Sequence, residues 1–178
     1  MVSPLGVPVV NVPKAEIYGA EFQLAVNPVD ALRIDANLSL LHARYTESFL
    51  GDPLLDPALT PQDIKGHRLN NAPDVSGYLG IEYEIGLGRA GTLTPRGEMT
   101  ATSDYNLREV NYPWTIQDGY VNGNAYVTWR DNSETLFVRG WIKNIADKAI
   151  LGGVLGFGGA NGSFAPPRTY GIEIGANF

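Results

Sequence analysis

The sequence predicts an all-β chain. It reads as an antiparallel up-and-down transmembrane β-barrel segment, about seven strands of a larger barrel, with short periplasmic turns and long extracellular loops. Three observations predict it. Apolar residues recur with period two in seven segments, and no amphipathic helix competes. The connections between those segments alternate between short and long. The chain also ends in mid-strand, on "TYGIEIGANF", with Phe178 as its last residue.

The first segment, 15–26, sets Tyr18, Ala20, Phe22, Leu24 and Val26 against Glu21 and Gln23. The second, 32–40, alternates Leu32, Ile34, Ala36, Leu38 and Leu40 with Arg33, Asp35, Asn37 and Ser39. In 75–85, Val75, Leu79, Ile81, Tyr83 and Ile85 oppose Ser76, Tyr78, Glu82 and Glu84. Segment 92–105 places Thr94, Arg96, Glu98 and Thr100 on one side, and 120–130 opposes Val121, Ala125, Val127 and Trp129 to Asn122, Asn124, Tyr126 and Thr128. Segment 135–144 sets Leu136, Val138 and Ile142 against Arg139 and Lys143. The last segment places Tyr170, Ile172, Ile174 and Phe178 opposite Glu173 and Asn177. Successive side chains on a strand point to opposite faces, so each segment carries one apolar and one polar face. In a membrane barrel these are the lipid and lumen faces; a soluble sandwich satisfies the same alternation.

Turn lengths separate the two. "NPVDA" (27–31), "GLGRAG" (86–91) and "DNSE" (131–134) have the composition of tight turns, whereas 46–73, about 106–118 and 147–167 are long. Several segments reach the roughly 9–11 residues that a tilted membrane strand needs. The last strand runs from a long loop to the periplasmic side, and the strand at 15–26 runs the same way. An odd set of strands cannot close by itself, so the chain reads as the C-terminal part of a larger barrel.

Composition excludes several classes. A net charge of −6 and a pI near 4.8 provide no basic footprint for nucleic acid. There are no cysteines, hence no disulfide framework and no thiolate metal site. No apolar run approaches the roughly 20 residues of a spanning helix. The opening "MVSPLGVPVVNVPKAE" lacks the basic region and apolar core of a signal peptide, so any export signal is expected upstream. A mean hydropathy of −0.10 suits a barrel with a polar lumen as well as a soluble chain.

Four stretches resemble one family. "NVPKAEIYGAEFQLAVNPVDALRIDANLSLLHARYTES" is similar to the G-x-E strand, turn and next strand found late in TonB-dependent outer-membrane receptors. "GHRLNNAPDVSGYLGIEYEI" is similar to that family's loop delivering an Asn-x-Pro-like element into a strand. "VRGWIKNIADKAI" resembles its penultimate strand with the following Asn-x-x-Asp, and "PPRTYGIEIGANF" its closing strand and terminal Phe. The likeness runs from about Asn11 to Phe178. It implies uptake of a scarce small-molecule substrate, a ferric siderophore, vitamin B12 or a glycan, driven by TonB from the inner membrane. The implied partners are outer-membrane lipid, the rest of the barrel with its plug, the TonB complex and the barrel-assembly machinery. These 178 residues include neither a plug nor a TonB-contacting box. The resemblance further implies that the assembly machinery reads the last strand, through Tyr170, Ile172, Ile174 and Phe178. An open strand edge in lipid is costly, so that strand must also close the barrel.

Other motifs carry less. Gly86, Gly88 and Gly91 spell G-x-G-x-x-G, but threonines and Pro95 follow where a dinucleotide site needs a helix, so no cofactor is expected. His42 and His67 have no partner at metal-ligand spacing, and Asp52, Asp56 and Asp63 do not form an EF-hand. Asn161-Gly162-Ser163 reads as loop composition. No catalytic constellation stands out, and no enzyme is expected. Tyr112, Trp114 and Tyr120 flank the second long loop and suit an aromatic belt; Tyr112 and Trp114, with Phe157 in the glycine-rich loop, are the ligand-contact candidates. Two other readings stay open here: a small passive porin-like barrel and a soluble all-β binding module.

Overall fold

The computed structural model describes residues 14–50, 62–156 and 160–176. Among them are twelve strands: β1 (Ala15–Val29), β2 (Leu32–Tyr45), β3 (Val75–Tyr83), β4 (Ile85–Gly86), β5 (Thr92–Thr102), β6 (Tyr105–Asn106), β7 (Ile116–Gln117), β8 (Tyr120–Arg130), β9 (Leu136–Lys143), β10 (Leu151–Gly156), β11 (Ala160–Phe164) and β12 (Thr169–Ala176). Helical structure among the described residues is limited to single 3-10 turns at Gly88–Ala90 and Pro113–Thr115. The main sheet is an antiparallel meander in the order β1-β2-β3-β5-β8-β9-β12, with β4 as a short extension beside β5. Its strands run from 8 to 15 residues.

All seven expected segments form, with shifted ends. β1 runs to Val29 because its pairing with β2 resumes after an irregularity between Val26 and Val29, which leaves Asp30 and Ala31 as the turn. The segment expected to reach residue 105 stops at Thr102, because Tyr105 and Asn106 pair with Gln117 and Ile116 instead. The glycine-rich stretch expected as a plain loop contains the β10–β11 hairpin. Six glycines within 151–164 hide its alternation from a hydropathy reading.

The faces differ as the alternation requires. Register sets Phe22 opposite Leu38, Leu38 opposite Gly77 and Pro95 opposite Val127, so apolar residues line one face. That face is open: Phe22 is 60%, Val121 53% and Ile172 76% exposed. The buried cluster lies elsewhere, in the loops, around Ile64, Val110 and Tyr112. A sheet left uncovered along strands of this length is stable where lipid replaces the second layer of a sandwich. Exposed Tyr18 stands near the long-loop end of this face, and Tyr83 and Trp129 near the short-turn end.

Candidate functional site

The polar face carries an ionic network across four strands. Register places Gly80 of β3 between Asp35 of β2 and Glu98 of β5. Arg96 of β5 reaches over that gap and donates from Nη2 to Asp35 Oδ2 at 2.9 Å and from Nη1 to Asp35 Oδ1 at 3.2 Å. It also donates to Glu98 Oε1 at 2.9 Å and to the Tyr78 hydroxyl at 2.7 Å. A Cβ on Gly80 would lie 2.5 Å from Asp35 Oδ2 and 2.7 Å from Arg96 Nη2. Glycine is what lets a planar guanidinium span the middle strand. Asn124 of β8 donates to Glu98 at 3.3 Å. Toward β12, Arg139 donates to Thr128 at 3.1 Å and to Glu173 at 3.4 Å. A hollow of about 410 Å³ opens here, lined by Glu82, Arg96, Glu98, Tyr126, Arg130 and Arg139 among others. Paired charges of both signs suit a wet, structured lumen wall.

Next to this network, two aromatic rings lean over glycines. Trp141 lies opposite Gly171, and Phe137 opposite Gly175, on the β9–β12 pair. A Cβ on Gly171 would come within 2.6 Å of Trp141 Cζ2, and one on Gly175 would overlap the Phe137 ring. The glycines of the last strand are therefore sockets for side chains of the strand before it. Above them a clasp joins the exit of β9 to the start of β12. Buried Asn144 donates to the carbonyls of Lys148 at 3.0 Å and Pro166 at 3.2 Å, and accepts from Lys148 N–H at 3.0 Å. Asp147 accepts from Arg168 N–H at 2.8 Å. These are the Asn-x-x-Asp and Pro-Arg elements of the sequence, brought together by folding.

The candidate site residues divide. Tyr112 is 5% exposed and packs in the loop core with Ile64 and Val110, so it cannot face lipid in an aromatic belt. Trp114 stacks on it at 5.7 Å and remains partly exposed. Tyr120 shares the parity of Asn122 and Asn124, the polar side of β8, and so does not belong to a lipid-facing belt either. Tyr170, Ile172 and Ile174 stand exposed together on the apolar side of β12. Phe157 and Phe178 lie outside the described residues, as do Asp52 and Asp56. Asp63 accepts from the backbone N–H groups of Phe49 and Lys65, each at 3.0 Å. The Lys65 amide, together with the Ser48 hydroxyl, holds its carboxyl below the usual range. That is a loop staple. His42 stacks on Tyr18 and bonds Glu16 at 3.0 Å, and His67 bonds the Glu109 carbonyl at 3.1 Å. Gly88 and Gly91 have positive φ in the tight turn between β4 and β5.

A meander with one uncovered apolar face and one ion-paired face, on strands of membrane-crossing length, is the wall of an outer-membrane β-barrel. The family model described as TonB dependent receptor-like, beta-barrel matches residues 2–145, and the chain belongs to that family. Among solved structures, the ferric yersiniabactin uptake receptor of Yersinia pestis matches with a TM-score of 0.77 at 18% identity, over 94% of this chain and 24% of that one. A siderophore receptor of Acinetobacter baumannii matches at 0.72 and 16%, over 91% and 22%. The ferric preacinetobactin receptor of the same organism matches at 0.67 and 19%, over 89% and 21%. The likeness to these structures is one of fold, and the chain spans about a quarter of their length or less. No curated protein matches the chain.

Proposed function

We propose that the chain is the C-terminal part of the barrel of a receptor that takes up a scarce small-molecule substrate across the outer membrane, driven by TonB. A ferric siderophore is the favoured substrate over vitamin B12 or a glycan. The observation that carries this reading is the two-faced meander, matched over most of its length by three receptors whose own ligands are siderophores. In this reading the short turns and the C-terminus are periplasmic, and the loops around Ile64, Val110 and Tyr112 are extracellular. Trp114, partly exposed beside its buried partner Tyr112, is offered as a ligand contact on that side, and Phe157 as a second contact. A plug, the TonB complex and the barrel-assembly machinery complete the set of partners, the last engaging Tyr170, Ile172, Ile174 and Phe178.

The test is radio-iron uptake by cells that carry the receptor containing this chain as their only siderophore route. Uptake of a ferric siderophore that stops when TonB or the proton-motive force is removed is the expected result. Uptake of solutes that ignores both would instead make this a passive porin-like barrel.

A further inference from the structure

On the apolar face, register aligns Leu38, Gly77, Ala101 and Val121 in one row across β2, β3, β5 and β8. The ends of the row are large and its middle is small. Val75 stands one step toward the long loops, and Leu79 and Met99 one step toward the short turns. The result is a depression of about 640 Å³ at Gly77 and Ala101, flanked by Leu38 and Val121. Gly77 is not there for strain. A Cβ at that position would meet only Asn37 O at 3.5 Å and Leu38 Cδ1 at 3.8 Å, which are ordinary contacts. Its effect is to keep the depression open.

Lys148 lines the same depression. Its backbone is pinned on both sides by Asn144, so its position is set by the clasp. Its side chain is exposed and makes no ion pair among the described residues. Other basic side chains at the long-loop end differ, since Lys14, Arg44 and Arg68 each have a carboxylate within 3.0 Å. The height is also informative. On the outward parity of β2, apolar residues end at Leu40, and His42 and Arg44 follow. Lys148 therefore sets a side chain with no carboxylate partner among the described residues beside an apolar slot, close to the level at which the outward apolar run of β2 ends.

We propose that this depression holds an acyl chain of an anionic, phosphate-bearing lipid of the outer leaflet, with its headgroup on the Lys148 ammonium. The inference rests on the barrel reading above and adds a lipid site to it. Small residues at the middle of the row admit a chain that bulkier neighbours would push away, and one unneutralised cation selects for negative headgroup charge.

The test uses the receptor containing this chain, purified in mild detergent, stripped of lipid and titrated in native mass spectrometry. The probes are phosphatidylglycerol and phosphatidylcholine with matched chains. Retention of phosphatidylglycerol about fivefold above phosphatidylcholine is expected, the effect of roughly one near-surface cation. Lys148→Gln removes that preference, and Lys14→Gln, a paired cation, leaves it. Gly77→Leu fills the slot and lowers retention of both lipids, and the heat-modifiable band on gels reports that each variant is folded. Equal retention of the two lipids, a preference surviving Lys148→Gln, or retention unchanged in folded Gly77→Leu overturns the site. So does a second receptor copy docked there and lost in Gly77→Leu. Siderophore uptake with no lipid preference sinks only this inference, and lipid preference without uptake sinks only the functional proposal.

Discussion

Arg96 and Asp35 are separated by 61 positions in sequence, yet they meet over a residue with no side chain. The pair is partly exposed, so its worth is that of charge-assisted hydrogen bonds in a wet lumen, with no buried-ion premium. Gly80→Val would drive a side chain into both partners, and loss of about 1–3 kcal/mol is expected from overpacking and broken bonds together. Urea unfolding in detergent micelles checks it, and a midpoint equal to that of the parent would show that the gap is incidental. A second prediction concerns Asp131, in the turn between β8 and β9. It accepts from Ser133 Oγ at 2.5 Å and Leu136 N–H at 2.9 Å, and the Ser133 bond first, then the Leu136 amide, holds its carboxyl below the usual aspartate range. A lowered folded value means that the stabilisation is complete above the ordinary aspartate range and is lost as pH falls through the lowered value. Protection of the Leu136 amide from hydrogen exchange is expected to fall on acidification through that window. Asp131→Asn, which keeps an acceptor but does not titrate, flattens the pH dependence.

At the scale of elements, β9 and β12 are matched by shape. Phe137 and Trp141 occupy the space above Gly175 and Gly171, an aromatic-over-glycine arrangement that fixes register on an edge strand. Gly175→Val is expected to cost about 1–3 kcal/mol by overpacking. Phe137→Ala in the same chain should return part of it, because the colliding ring is gone. The heat-modifiable fraction after refolding measures both, and a double variant no better than the single would exclude ring collision as the cause. The lipid face gives the complementary prediction. Leu38→Arg is expected to disfavour membrane assembly, though by less than the roughly 2–4 kcal/mol of a midplane site, because Leu38 lies one step below Leu40, where the outward apolar run of β2 ends. Asn37→Arg, exposed on the polar side, should be near neutral in the same vesicle-folding assay. Thr128 is also on the polar side, but it is buried and receives a bond from Arg139, so Thr128→Arg is a poor control.

For the whole molecule, the sheet's outer strands β1 and β12 each pair on one side only among the described residues. Tyr170, Ile172 and Ile174 display an apolar row on the second of these. If the terminal strand is the assembly signal, deleting Phe178 in the full receptor should cut its level in the outer membrane, and a polar tail after Phe178 should do the same. Outer-membrane fractions compared on gels check this; accumulation at parental levels would leave the strand without that role.

Much of this was legible beforehand. The seven wall strands and their two faces follow from alternation, because a strand's geometry alone sends neighbouring side chains to opposite sides. Leu38 and Asn37 could be assigned to opposite faces without knowing what surrounds them. Which residues meet across strands was not legible. Asp35 finds Arg96, Trp141 finds Gly171 and Asn144 finds Pro166 only through register, and register comes from pairing the whole ladder. Glycines on the polar parity were the trace, Gly80 between Tyr78 and Glu82, and Gly171 and Gly175 on either side of Glu173. The loops were misread for the same reason. Tyr112 has the composition of a membrane-belt residue, but two long loops fold on each other and bury it against Ile64 and Val110. Local period, set by backbone geometry, was the sequence's own contribution. The meeting of distant side chains, set by long-range pairing and loop packing, belonged to the tertiary structure.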